Sequence, residues 1–180
     1  RYQGPEPSLD YHALDLGGRA SAVLSIIQPD APFLVDSVMV ALGQIGATVR
    51  ALFHPVVTIS RGANGDRLDR RDGAPQRESI IVIVLDALGQ DQVERLLADL
   101  SLALGDVRQA VNDHPAMLGL MRESIQKLQT DTHTLNPSDL DEILAFLEWL
   151  AADHFVFLGA RVYEYRSEEH TSELQSPCNL

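Results

Sequence analysis

Residues 79–85 read SIIVIVL, and nothing polar interrupts positions 80–85. A strand with one face in water alternates apolar and polar side chains, whereas a strand without alternation is covered on both faces. The segment is therefore expected at the centre of a sheet, buried on both sides. It is also the longest run of large apolar residues in the chain. It is far too short to cross a bilayer, so no transmembrane helix is expected.

The flanking sequence supplies partners for such a strand. Residues 21–28 (SAVLSIIQ) are rich in branched apolar side chains and stop at Pro29-Asp30, which reads as a strand ended by a turn. Pro32-Phe33-Leu34 leads into a helix: Val35, Val38, Met39, Leu42 and Ile45 recur at helical spacing, and Gly46 supplies a stop. Residues 48–60 form another extended stretch with Pro55 in its middle. Proline cannot donate to a ladder, so this strand is expected to be an edge, bulged, or broken there. Residues 61–77 are polar and glycine-rich, and long for a hairpin connection.

Residues 91–111 keep an apolar stripe of Val93, Leu96, Leu97, Leu100, Leu104, Val107 and Val111. Pro115 is expected to break this helix or to start the next one, over residues 116–129. Residues 130–134 read as a polar linker. Asn136-Pro137 is a strong helix start, with acidic Asp139, Asp141 and Glu142 near the positive end of the dipole. Residues 155–165 (FVFLGARVYEY) read as a last strand, and residues 1–20 as an irregular lead-in.

The order strand, helix, strand, strand, helix matches a ferredoxin-like split β-α-β of the α+β class. It is expected over residues 21–112, followed by a helical connector over 113–154. The strand at 155–165 either closes that sheet or opens the next domain. A length of 180 residues with 45% apolar content fits one domain plus an appendage and excludes wholesale disorder.

Lys plus Arg is 14 and Asp plus Glu is 26, a net charge of -12. Such a chain repels phosphate, so a nucleic-acid partner is not expected. Residues 1–10 lack the apolar core of a signal peptide. The single cysteine, Cys178, excludes an internal disulfide and fits a reducing cytoplasm.

No catalytic constellation is present: no P-loop, no G-x-G-x-x-G after a strand, no H-E-x-x-H and no G-x-S-x-G. Asp66, Asp69 and Asp72-Gly73 imitate a calcium loop only superficially, with the wrong spacing and no closing glutamate, so no metal site is expected. The turn over residues 28–37 (QPDAPFLVDS) has two readings. A helix N-terminus offers free N–H groups and a positive dipole end to an anion such as an amino-acid carboxylate, which makes Phe33, Asp36 and Ser37 a candidate effector loop. Alternatively, Asp36 or Ser37 only caps the helix and Phe33 staples it to the core. His54, beside Pro55, is a ligand candidate too, although an imidazole in an apolar strand is more often a satisfied core or edge residue than a ligand.

Three segments taken together carry a resemblance. Ala31-Pro32-Phe33-Leu34-Val35-Asp36-Ser37-Val38, then His54-Pro55-Val56, then Asp153-His154-Phe155-Val156-Phe157-Leu158-Gly159 resemble the N-terminal region of the large bacterial NAD-specific glutamate dehydrogenases. Asp106-Val107-Arg108-Gln109-Ala110-Val111 and Phe146-Leu147-Glu148-Trp149-Leu150-Ala151 look like that family too, although His114 stands after Asp113 where the family tends to an aromatic residue. The resemblance implies an ACT-like regulatory segment built as β-α-β-β-α-β, with the catalytic domain far downstream.

It further implies a parent enzyme that oxidises L-glutamate to 2-oxoglutarate and ammonium with NAD as hydride acceptor. This chain itself would hold no cofactor and no catalytic residue. Its partners would be downstream domains of the same chain, an amino-acid effector, and further copies in a homo-oligomer, with neither nucleic acid nor membrane. The remaining readings are a purely structural assembly module and a free-standing small-molecule-binding protein.

The tail differs. Residues 166–176 (RSEEHTSELQS) look like the in-frame translation of a high-throughput sequencing adapter. Residues 166–180 are therefore expected to be non-native, the chain a piece of a longer protein, and Cys178 irrelevant to its redox setting.

Overall fold

A computed structural model describes residues 6–62, 65–68, 75–130 and 136–163. The chain forms two compact units, residues 1–108 and 109–180. In chain order the first unit holds strands β1 (Ser8–Asp15) and β2 (Ala20–Pro29) and helix α1 (Leu34–Gln44). Strands β3 (Val49–Phe53), β4 (Val56–Arg61), β5 (Arg67–Leu68) and β6 (Gln76–Asp86) follow, and then the start of α2 (Gln90–Thr130).

The apolar run lies in β6, which is the central strand, as its sequence predicts. β2 pairs with it antiparallel from Ser21↔Asp86 to Pro29↔Glu78. Its other side is shared by β3 and β4 in succession. The expected edge strand is thus broken at His54-Pro55. The ladder still passes the break, because the Pro55 carbonyl accepts from the Ile80 N–H at 3.0 Å. β2-α1-β3/β4-β6, with β6 inserted between the strands that α1 connects, is the expected α+β split β-α-β.

One face of the sheet carries the core. Ala22, Leu24 and Ile26 of β2 and Ile81, Ile83 and Leu85 of β6 pack against Leu34, Val38 and Leu42 of α1 and Leu96, Leu100 and Leu104 of α2. Each such side chain contributes about 1.5–3 kcal/mol on burial. α1 ends where Gly46 adopts the left-handed conformation at φ 69, and the Ala47 N–H returns to the Leu42 carbonyl at 3.0 Å.

Four expectations are corrected. Residues 1–20 are not an irregular lead-in throughout: β1 pairs with β2 over its whole length, and only Leu9 and Tyr11 pack on the core, too short an alternation to stand out in the sequence. Two-sided burial of residues 79–85 does not hold either. Ser79, Ile81, Ile83 and Leu85 are buried, but Ile80, Val82 and Val84 on the opposite face remain partly exposed.

Pro115 neither breaks nor starts a helix, since α2 runs through it without interruption. A helix continues past proline where packing outweighs the missing hydrogen bond. Finally, residues 155–163 form no strand, although Phe155 has extended backbone (φ -140, ψ 144). β-propensity needs a partner, and no described strand pairs with this segment. Residues 164–165, the linker at 131–134 and the adapter-like tail at 166–180 lie outside the described residues.

The second unit holds the rest of α2, then α3 (Pro137–Trp149) and a π-helical turn over Leu150–His154. Asn136 caps α3 as expected, its side-chain oxygen accepting from the Asp139 N–H at 2.9 Å with proline at the helix start. α3 buries none of its residues; Phe146 and Trp149 stack on its surface, and Trp149 stacks on His154 in turn. No described helix is long and apolar enough to cross a membrane.

Candidate functional site

The sequence-derived loop residues all fall at the start of α1. Phe33 is the residue before the helix, adopts the left-handed conformation (φ 67, ψ 2) and is 46% exposed. It gives the helix no side-chain cap, only its carbonyl, which accepts from the Ser37 N–H at 3.0 Å. Neither Asp36 nor Ser37 is the cap, and Phe33 does not staple the helix to the core. The bland reading of this loop is therefore corrected on both counts.

The first turn carries Asp36 as an exposed carboxylate, favourably placed at the positive end of the dipole. The start of α1 thus has no side-chain cap and carries one exposed carboxylate in its first turn. The preceding acidic residue, Asp30, is already engaged. Its carboxylate pairs with Arg77 at 2.9 Å, and its N–H donates to the Arg77 carbonyl at 2.9 Å. That double tie fixes the loop to the start of β6.

Beneath the loop, a polar row crosses the core face of the sheet. Gln28, Ser79 and His54 come from β2, β6 and the β3–β4 break. Gln28 and Ser79 are register partners, both buried, and His54 Nε2 lies 2.7 Å from Ser79 Oγ. The Gln28 side-chain nitrogen is buried without a hydrogen-bond partner among the described residues. A buried amide left in that condition costs about 1–3 kcal/mol.

Sequence reasoning singled out His54 but missed Gln28 and Ser79. The signal was present. Gln28 continues the inward series Ala22, Leu24, Ile26, and Ser79 begins the series Ile81, Ile83, Leu85, so each is a polar group at a core position.

Other chemistries fit less well. The β2–α1 turn, Pro29-Asp30-Ala31-Pro32-Phe33, has no glycine to let a backbone approach a pyrophosphate, so these residues do not fit NAD. Among the described residues no cluster of His, Cys, Asp or Glu could hold a metal ion, and Asp69 and Asp72 lie outside them. In the second unit, Arg122, Gln126 and Gln129 of α2 and Glu148, Ala151 and Ala152 line an open cleft of about 430 Å³. Its charged side chains are exposed, so nothing there converges on a desolvated ligand.

The family model described as glutamate dehydrogenase, ACT1 domain, matches residues 11–100. The chain belongs to this family. The ACT1 match begins within β1 and ends within α2, which agrees with β1 being part of the domain. The NAD-specific glutamate dehydrogenase of Halomonas elongata is 35% identical over 164 residues, covering 87% of this chain and 10% of that protein. The enzyme of the same name from Pseudomonas aeruginosa is 30% identical over 151 residues, covering 81% of this chain and 9% of that protein. The chain thus spans about a tenth of the length of these relatives. The ACT1 match and the α+β architecture agree.

Proposed function

We propose that the chain is the N-terminal regulatory part of a cytoplasmic NAD-specific glutamate dehydrogenase and is itself non-catalytic. The whole protein would convert L-glutamate, NAD and water to 2-oxoglutarate, ammonium and NADH. The ACT1 membership together with the relatives of that name carries this reading.

Within the chain, the loop of Phe33, Asp36 and Ser37 is the proposed amino-acid effector site. The carboxylate of the effector would take the N–H groups at the start of α1, and its ammonium would take Asp36. Such a ligand changes activity only by binding active and inactive states differently.

Calorimetry of the chain with a panel of amino acids tests the sensing. Binding of one or a few amino acids, lost in Asp36→Ala, is the expected outcome; no heat with any of them removes the effector role. NADH formation from glutamate by the complete gene product tests the parent reaction separately.

A purely structural assembly role is the second reading, favoured by the partly exposed apolar side chains on the outer face of β6.

A further inference from the structure

His154 engages Trp149 twice, just past the end of α3. The two rings lie 5.0 Å apart with 18° between their planes, and His154 Nδ1 lies 3.0 Å from the Trp149 carbonyl oxygen. Both contacts span five residues. In an α-helix the neighbours one turn on are three and four residues away. The wider i→i+5 pattern of the π turn over Leu150–His154 brings residue 154 over residue 149 instead. Directly after it Phe155 is extended (φ -140, ψ 144), so the two contacts sit where the chain leaves the helix.

A carbonyl oxygen only accepts, so Nδ1 carries the hydrogen of the neutral ring and Nε2 is left to take a second proton. His154 is exposed, so water delivers that proton directly. The charge it brings meets two favourable features. The face of an indole attracts a cation, and the last carbonyls of a helix form its negative pole. α3 has no basic residue in its last turn, and His154 fills that place in the π turn. The charged groups beside the turn are Glu148 of α3 and Arg122 of α2, which line the cleft with Ala151 and Ala152. Among the described residues neither of them pairs with His154.

We propose that His154 and Trp149 form a pH-sensitive latch, which closes more firmly as the imidazole takes up a proton and so holds the path on which the chain leaves α3. Histidine changes charge between about pH 5 and pH 8, so the latch responds near neutrality. A cation over an exposed indole favours the closed arrangement about two- to fivefold. Without the charge, the ring keeps its hydrogen bond alone, and the apolar segment that follows, with Phe155, Val156 and Leu158 exposed, is held less firmly. The inference goes beyond the effector reading and holds whether or not α1 binds an amino acid.

Trp149 is the only tryptophan of the 180-residue chain, so its emission reports the contact without a label. Fluorescence and near-ultraviolet circular dichroism of the chain, followed from about pH 8 to about pH 5.5, test the latch. Emission should fall on acidification along a one-proton curve, because an imidazolium stacked on an indole quenches it. The indole band of the dichroism spectrum should grow over the same range as the ring is held more firmly. His154→Phe keeps a ring over the indole but takes no proton, and should abolish both changes. His154→Gln, with neither ring nor titration, should do the same. His114→Gln, on α2 in the same unit, should leave both changes in place. A flat emission profile overturns the proposal. A profile that survives in both His154 variants overturns it too, because the titrating group then lies elsewhere. Quenching with a constant or shrinking indole band also overturns it, since the charge would then act without tightening the contact.

Discussion

His54 Nε2 and Ser79 Oγ meet at 2.7 Å where Pro55 interrupts the edge strand. The ladder loses a donor at the proline, and this side-chain bond holds the two strands together beside the gap. Ser79→Ala should cost about 1 kcal/mol, since the exposed imidazole can return to water. A double-mutant cycle with His54→Ala should give a coupling of about 0.5–1 kcal/mol. Urea unfolding of the four proteins measures it, and strictly additive losses would show that the pair contributes nothing beyond packing.

Gln28 lies next to Ser79 in register, with a buried side-chain nitrogen that finds no partner among the described residues. Replacing a buried polar group that lacks a partner by an apolar one of similar size removes a desolvation cost. Gln28→Leu should therefore stabilise the fold by about 1 kcal/mol, read as a higher thermal midpoint. A fall in the midpoint would mean that the amide is satisfied in solution.

Glu78 and Arg61 differ in exposure: the glutamate side chain is 1% exposed and the arginine 21%. The pair is bidentate, with Arg61 Nη2 donating to Glu78 Oε2 at 2.6 Å, and Arg61 also donates to the Gly65 carbonyl at 2.8 Å. Removing the arginine strands a buried carboxylate, whereas removing the glutamate leaves a guanidinium that can turn to water. Arg61→Ala should then cost about 3 kcal/mol and Glu78→Ala clearly less. Equal losses in denaturant titrations would refute the asymmetry.

How far the sequence could be read follows from which signals are local. The run in residues 79–85 located the central strand because composition alone carries it. It could not say that one face would stay open in this chain, since the cover is not encoded next to it. Pro55 and Gly46 acted as expected because each imposes a backbone constraint on the spot. Pro115 did not, because the rest of α2 holds the helix together around it. β1 was missed because Leu9 and Tyr11 alone face the core, and residues 155–163 were misread because strand propensity is empty without a neighbour. At the candidate site, Phe33, Asp36 and Ser37 could be grouped from local order. The row of Gln28, Ser79 and His54 could not, as it joins residues far apart in the chain.

The left-handed conformation of Phe33 yields the last prediction. Outside glycine, that region costs about 1–2 kcal/mol because Cβ crowds the following carbonyl. Phe33 gains little in return from burial, since the residue is 46% exposed. Phe33→Gly should raise stability by about 1 kcal/mol, partly offset by the greater freedom of the unfolded glycine. If the strained turn holds the N–H groups of α1 ready for an amino acid, the same variant should bind its effector more weakly while melting at a higher temperature. Stability and binding that rise together would instead mark the turn as a relic of folding with no part in recognition.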